Sequence, residues 1–502
     1  MRARMPDLRR LAGDAAGVIA AAVKLCEVCW QSASLKEPLG MPSIFETAST
    51  SSAIPITFVT KANWPAIKEG LSTEARNFAE ANVYGAKPGS CLILPAADGR
   101  IAQVLFGIED DDARHRDPFR PGALPGLLPA GTYRFANAPH DIRLAALAFA
   151  LGSYRFGRYR KSESPDVRLV PPDGVDAAEL NRLAEAAALA RDLVNTPSND
   201  MGPEELEAAA KQVAGRFGAR FTSIVGDDLL QQNFPLVHAV GRASTRAPRL
   251  IELVWGDASH PKVTLVGKGV CFDTGGISIK PADGMEDMKW DMGGAAAVTG
   301  VMHALAGRKA KVNAIGVLGL VENMPDGNAQ RPGDVVSSMS GQTIEVINTD
   351  AEGRLILADA LTRAAELKPA LTLDFATLTG AARIAMGPFV IPFWTPDDKL
   401  AGQIEAASKA VADPLWRLPL TEAYRDALDS DIADLKNDPD GWAQAGATTA
   451  ALFLQRFAPS GDEVGPWAHF DVFAWNPKGY PVGAEVQAIR AAFAMLRARF
   501  SR

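Results

Sequence analysis

The stretch Asn348-Thr349-Asp350-Ala351-Glu352-Gly353-Arg354-Leu355 places two carboxylates and a guanidinium within a span of five residues. The apolar residues that follow have helical spacing, so this cluster is expected at a junction between a strand and a helix. A single Asp or Glu is most often a helix cap or a surface charge, but acidic side chains this close together rarely serve packing. The stretch therefore points to a site that binds a cation.

A second segment, residues 266–276, is rich in glycine and carries further charged residues. We expect a strand to end near Val266 and a turn to follow it, in which the glycines let the backbone bend sharply and approach a ligand. This segment and the residues after it add two lysines and two aspartates, which are Lys268, Asp273, Lys280 and Asp291.

Short apolar runs alternate with helical stretches through the second half of the chain. This alternation predicts an α/β fold with a mostly parallel sheet covered by helices on both faces. In open sheets of this kind, ligands bind beyond the carboxyl ends of the strands, where the charged clusters fall. The expected strands include Leu250–Val254, Val263–Val266, Ala314–Leu320 and Leu371–Phe375, and the expected helices include Gly293–Ala306 and Arg354–Glu366.

The length of 502 residues predicts two domains. We expect an N-terminal extension at residues 1–40, a small α/β domain at 41–170, and a larger catalytic domain at 175–502. Met41 is an alternative start, so the extension is either an added segment or the product of a misplaced start codon. Four cysteines in so long a chain favour a reducing compartment over a disulfide framework.

The net charge of −7 argues against general binding to nucleic acid or to anionic membranes, because both interactions rely on basic patches. The apolar run near the N-terminus, Ala15–Val23, is too short to span a bilayer. The Gly-Lys-Gly sequence at 267–269 lacks the spacing of a phosphate-binding loop, which disfavours nucleotide binding.

Four carboxylates in one cleft cannot all ionise without compensation, and divalent cations are the natural compensation. Paired ions are used to polarise carbonyl or phosphoryl groups, so the sequence favours a two-metal hydrolase. Lys268 can bind a metal only as the neutral amine, and Lys280 is better suited to stabilise an oxyanion. Arg354 offers a planar fork for a carboxylate-like or carbonate-like anion. The carboxylates alone do not decide between Mg, Mn and Zn.

At these residues the chain resembles the leucyl aminopeptidase family, the two-metal exopeptidases of peptidase family M17. The eight residues 348–355 match that family's signature without a substitution, and the spacing of the lysines and aspartates also fits. The resemblance implies one ion held by Asp273, Asp350 and Glu352, and a second held by Lys268, Asp273, Asp291 and Glu352. It also implies that water held between the ions attacks the first peptide carbonyl, that Lys280 stabilises the product of this attack, and that bicarbonate on Arg354 acts as the general base.

The resemblance further implies short peptides with a free N-terminus as substrates, Zn or Mn as the ions with Mg or Co as alternatives, a cytoplasmic location and a homohexamer. The residues expected around the substrate are Met288, Asn348, Thr377, Leu378, Gly380 and Ala474. Two alternatives stay open at this point. A two-metal phosphoesterase would use the same carboxylates, and some members of the family also bind DNA as architectural proteins.

Overall fold

The computed structural model describes residues 43–46, 52–160, 165–439, 444–461, 463–479, 482–485 and 487–500. The predicted N-terminal extension, residues 1–40, lies outside this part of the chain. Residues 41–502 form one compact unit. Within the described residues, every helix is too short or too polar to cross a bilayer.

The N-terminal part of this unit is built on a five-stranded sheet. Its strands are β1 (Ile54–Val59), β2 (Cys91–Pro95), β3 (Ile101–Gly107), β4 (Gly131–Phe135) and β5 (Val167–Leu169). They lie in the order β2-β3-β1-β4-β5, and only the pair β2 and β3 is antiparallel. The helices of this part are α1 (Trp64–Glu69), α2 (Thr73–Ala81), α3 (Leu124–Leu127) and α4 (Ile142–Gly152).

The C-terminal part is built on an eight-stranded sheet. Its strands are β6 (Arg220–Val225), β7 (Arg249–Trp255), β8 (Lys262–Asp273), β9 (Asn313–Asn323), β12 (Leu371–Ala376), β13 (Ile391–Trp394), β14 (Leu415–Arg417) and β16 (Trp467–Asp471). Their order is β14-β13-β16-β12-β8-β9-β7-β6. The four central strands β16, β12, β8 and β9 are parallel to one another. Smaller pairings involve β10 (Val335–Ser337), β11 (Thr343–Glu345), β15 (Leu435–Lys436), β17 (Trp475–Asn476) and β18 (Gly483–Ala484).

The helices of the C-terminal part connect and cover these strands. They are α5 (Ala177–Asn195), α6 (Pro203–Phe217), α7 (Asp228–Gln231), α8 (Pro235–Gly241), α9 (Ala282–Met285), α10 (Gly293–Arg308), α11 (Gly353–Glu366), α12 (Gly380–Met386), α13 (Asp398–Val411), α14 (Gly446–Gln455) and α15 (Ile489–Phe500). Both α10 and α11 pack on β8, and β9 is buried along its whole length. The predicted α/β fold with a covered, mostly parallel sheet is confirmed.

The expected end of the strand near Val266 is wrong, because β8 continues through Lys268 to Asp273 with one irregularity in its pairing to β9. Gly267 and Gly269 are therefore strand residues. A Cβ at Gly267 would lie 2.9 Å from the Cα of Ala295, and one at Gly269 would lie 2.8 Å from a backbone oxygen of β9. Because these glycines have no side chain, the start of the neighbouring helix and strand β9 can pack close to β8. The turn comes later, at Gly275 and Gly276, where φ is +86° and +65°.

Candidate metal centre

A cavity of about 280 Å³ lies where β8 and β12 end, the edge at which sheets of this kind bind ligands. Most of the residues expected at the site line it, and Glu352 lies beside Lys268 without lining the cavity. The lining residues expected from the sequence are Lys268, Asp273, Lys280, Met288, Asp291, Asn348, Asp350, Arg354, Thr377, Leu378 and Gly380.

Lys268 lies within the buried strand β8, and its side chain lies between two carboxylates. Its Nζ is 2.8 Å from Asp291 Oδ1 and 2.9 Å from Glu352 Oε1, and it donates a hydrogen bond of 2.8 Å to the carbonyl of Thr377. Burial alone lowers the pKa of this lysine, but the attraction of Asp291, Glu352 and Asp273 more than offsets burial and leaves the pKa above its usual value. The ammonium form is thus stabilised by its surroundings.

Lys280 links the two acidic segments in the same way. Its Nζ is 2.8 Å from Asp273 Oδ2 and 2.5 Å from Asp350 Oδ1. Burial acts to lower its pKa, and the neighbouring carboxylates raise it above the usual value overall. The side chain therefore points a positive charge into the centre of the acidic cluster.

Three of the acidic residues converge closely enough to share an ion. Carboxylate oxygens of Asp273, Asp350 and Glu352 all lie within 4.8 Å of one another. Burial, followed by repulsion from the nearby Asp273, raises the pKa of Asp350 to about 6 and also raises the pKa of Glu352. Bringing these groups together costs free energy that a divalent cation would recover.

The charges and donor atoms of the cluster fit divalent ions. Four carboxylates (Asp273, Asp291, Asp350 and Glu352) and two ammonium groups leave two negative charges in excess. In addition, Asp291 Oδ2 is buried and has no hydrogen-bond partner among the described residues. A buried, unpartnered carboxylate oxygen is costly in a folded protein, and it is a ligand of the type that divalent ions bind.

Short hydrogen bonds orient the acidic groups. Asp273 Oδ1 accepts 2.8 Å bonds from the backbone N–H of Gly275 and from Asn323 Nδ2. Asp291 Oδ1 accepts a 2.7 Å bond from the hydroxyl of Thr377. Each of these carboxylates is therefore held in one orientation by a neighbour from another segment. Asn323, at the end of β9, was not identified from the sequence.

Arg354 is buried in the first turn of α11, and its partners come from a distant loop. Its Nη1 donates a 2.6 Å bond to the carbonyl of Asn437 and lies 3.4 Å from Asp438 Oδ1. The side chain of Asn437 in turn holds the acidic stretch, since its Nδ2 donates a 2.6 Å bond to the carbonyl of Asn348. Asp438 also lines the cavity and was missed by the sequence reasoning.

One residue expected to line the cavity does not line it. Met288, Thr377 and Gly380 line the cavity, but Ala474 is fully buried and is not among the lining residues. A Cβ added to Gly293 would lie 2.4 Å from the Cβ of Ala474, which places Ala474 behind the start of α10. The neighbouring Phe473 faces the cavity instead, together with Trp290 and Arg383.

The segment after β12 is held in place by a buried carboxylate. Asp471 accepts hydrogen bonds from the backbone N–H groups of Leu378 at 2.9 Å and Thr379 at 3.2 Å, and from the Thr379 hydroxyl at 2.7 Å. This segment carries the carbonyl that accepts from Lys268 as well as part of the cavity wall. Asp471 therefore fixes the position of the wall relative to the acidic cluster.

Comparison with known families identifies the family of the chain. The family described as "Cytosol aminopeptidase family, catalytic domain" matches residues 188–491, and the one described as "M17 aminopeptidase, N-terminal domain" matches residues 54–172. The chain belongs to the M17 family of cytosol aminopeptidases. Membership makes the protein a hydrolase, and more narrowly a metal-dependent aminopeptidase.

Individual relatives support the same family. A probable cytosol aminopeptidase of Caulobacter vibrioides is 51% identical over 429 residues, which cover 80% of this chain and 85% of the relative. A crystal structure of a cytosol aminopeptidase from Coxiella burnetii is 41% identical with a TM-score of 0.86, and the match covers 91% of this chain and all of that one. The bottromycin maturation enzyme BotP in complex with Mn is 35% identical with a TM-score of 0.79, over 89% of this chain and 99% of that one.

Proposed function

We propose that this aminopeptidase holds two divalent ions, the first on Asp273, Asp350 and Glu352, and the second on Lys268, Asp273, Asp291 and Glu352. The observation that carries the proposal is the convergence of three carboxylates within 4.8 Å of one another. Zn and Mn are the ions we favour, with Mg and Co as further candidates, and the Mn complex of BotP supports Mn. When bound, the ions supply Lewis acidity that polarises a peptide carbonyl and acidifies water.

Lys280 is the residue we assign to charge stabilisation. Its ammonium is anchored by Asp273 and Asp350, so it is oriented before substrate binds. A positive charge fixed in advance stabilises negative charge that develops on a carbonyl oxygen, because no reorganisation is needed during the reaction. Lys268 can bind the second ion only after its ammonium group loses a proton. Its carboxylate partners oppose this loss until an ion competes with the ammonium group for them.

Arg354 is the residue we assign to anion binding, with bicarbonate as the proposed anion and general base. Hydrogen bonds from this guanidinium to described residues all come from Nη1, so its other N–H donors have no partner among them, and Arg354 lines the cavity. A planar fork of this kind matches the geometry of carbonate and carboxylate. Asp438 lies at the same guanidinium and would share it with the anion.

Substrates are proposed to be short peptides with a free N-terminus. The nitrogen of a free α-amine would bind one of the ions, whereas the amide nitrogen of an acylated terminus is a poor metal ligand. Met288, Thr377 and Gly380 give the cavity an apolar wall suited to a leucine-like first side chain with broad tolerance. A cytoplasmic location and a homohexamer are also proposed, and sedimentation analysis of the purified protein tests the latter.

The assigned roles are tested by separating turnover from metal binding. Replacement of Lys280 with methionine (Lys280→Met) is expected to lower kcat on leucine p-nitroanilide by about 10²-fold, as loss of one preorganised donor does elsewhere. Calorimetric titration with Mn²⁺ should show that this variant still binds the metal, whereas Glu352→Gln should bind it more weakly. Lys399→Met, in the exposed part of α13, is the matched control. Wild-type kcat for metal-saturated Lys280→Met would contradict the assignment.

A further inference from the structure

Arg383 is a cation in the wall of the cavity that has no acidic partner among the described residues. It lies in α12, one turn after Gly380, and its guanidinium carbon is 4.8 Å from the centre of the Phe473 ring. Within the described part of the chain, no hydrogen bond or ion pair engages its side chain. The aromatic ring is therefore its identified contact.

The other cations that line the cavity each lie beside at least one carboxylate. Lys268 and Lys280 each contact two carboxylates, and Arg354 lies beside Asp438. Among the described lining residues, Arg383 is thus the cation with no carboxylate beside it, and it is available to an anion in addition to the one proposed for Arg354. The acidic cluster attracts cations, so Arg383 gives one part of the same cavity the opposite preference.

The guanidinium of Arg383, an exposed residue, lies over an aromatic ring that is itself packed against other rings. Phe473 packs edge-to-face on Trp290 with ring centres 5.2 Å apart, and Trp290 also packs on Trp475 at 5.6 Å. Trp290 belongs to the same turn as Asp291 and Met288, so the platform is fixed to the acidic cluster. A guanidinium that lies on an aromatic ring keeps its N–H donors free for a planar partner such as a carboxylate.

We propose that Arg383 binds a carboxylate of the peptide substrate and so extends the specificity of this enzyme to acidic ligands. The carboxylate comes from one of two sources, the side chain of an N-terminal Glu or Asp, or the C-terminus of a dipeptide. Both sources present the same group to the same guanidinium. The inference rests on the proposed aminopeptidase function, because it concerns the peptide bound in that cavity.

Two pairs of matched substrates separate the sources. Glu and Gln p-nitroanilides differ in side-chain charge at nearly equal size, and Leu-Gly and Leu-Gly-amide differ in charge at the C-terminus. The measured quantity is the kcat/KM of the charged substrate divided by that of the uncharged substrate in each pair. Any general loss of activity cancels in this ratio. Arg383→Met keeps an apolar cover over Phe473 while removing the charge, and Arg383→Lys restores the charge without the planar fork.

We expect Arg383→Met to lower one of the two ratios by about tenfold, the size of a charge-assisted contact that is partly open to solvent. Arg383→Lys should recover part of that loss. Arg220→Met, an exposed arginine on β6 that does not line the cavity, should leave both ratios unchanged. A fall in the first ratio identifies the side chain as the source, and a fall in the second identifies the C-terminus.

Both ratios within twofold of the wild type in Arg383→Met would overturn the proposal. Failure of the underlying function has a different signature, because wild-type enzyme loaded with Mn²⁺ would then cleave none of the four substrates. Leucine p-nitroanilide cleavage by the wild type is measured in the same series to separate these two results.

Discussion

Replacing Gly353 with alanine should displace Lys268. A Cβ at this position would lie 2.7 Å from Lys268 Cε and 2.8 Å from both Cδ and Nζ, whereas ordinary contacts begin at 3.4 Å. The lysine end must therefore move by roughly 0.7 Å. A mobile lysine would swing aside at little cost, but this one is buried and bound to Asp291, Glu352 and the Thr377 carbonyl.

The expected cost falls mainly on activity. A misplacement of about 1 Å in a catalytic site can reduce the rate about 10²-fold, so a shift of this size should lower kcat/KM about 10- to 100-fold. Overpacking in a filled core costs about 1–3 kcal/mol of unfolding free energy. Gly353→Ala should therefore fold, unfold at lower urea concentration than the wild type, and bind Mn²⁺ more weakly in a calorimetric titration.

Gly402→Ala is the matched control, because it makes the same change in α13, where an added Cβ meets no atom within 4 Å. This variant should keep wild-type activity and gain up to about 1 kcal/mol of stability, as alanine favours a helix interior over glycine. Wild-type kcat/KM and Mn²⁺ affinity in Gly353→Ala would refute the argument that the contact with Lys268 positions the metal ligands.

Two further predictions concern residues outside the acidic cluster. Asp471→Ala should leave the backbone N–H groups of Leu378 and Thr379 unpaired and lower kcat/KM about tenfold, with Asp471→Asn recovering part of the loss; equal activity of all three proteins would contradict this. Burial and the adjacent Arg216 lower the pKa of His303 from 6.5 to about 4. Its neutral form therefore contributes stability that is lost as the pH falls through this interval, by about 2 kcal/mol between pH 7 and pH 5. In His303→Gln, urea unfolding should show a smaller loss over that range, and an unchanged pH dependence would count against the assignment.

The sequence was most informative where one short segment carries several charged residues. Residues 348–355 combine two ligand-type carboxylates, a glycine and an arginine, and their spacing alone predicts a cation site at a helix start. The alternation of apolar runs likewise predicted the covered parallel sheet, because buried strands leave a strong hydrophobic signal. Both inferences rest on local patterns.

The residues that were missed meet the site only through the fold. Asp438 reaches Arg354 from 84 positions away, and Asn323 reaches Asp273 from 50 positions away. No local pattern marks such a pair. The misplaced strand end at Val266 has a related cause, since glycine permits both a turn and close packing, and only the neighbouring helix at Ala295 decides between them.

Phe473 and Ala474 are neighbours in sequence, but only Phe473 lines the cavity. Both follow β16, and Ala474 adopts a φ of +61°, a left-handed conformation that is uncommon for alanine. Sequence alone gives no sign of this conformation. It accompanies an arrangement in which the ring of Phe473 faces the cavity and the methyl group of Ala474 lies behind α10.

Peptide cleavage by this enzyme is proposed to depend on divalent ions at the acidic cluster and on a free amino terminus. The most direct test treats the purified protein with chelator and then measures cleavage of leucine p-nitroanilide and its N-acetyl form after addition of Mn²⁺, Zn²⁺, Mg²⁺ or Co²⁺. At least one ion should restore cleavage, and only of the free-amine substrate. Full activity without any ion, or equal cleavage of the acetylated substrate, would contradict this dependence.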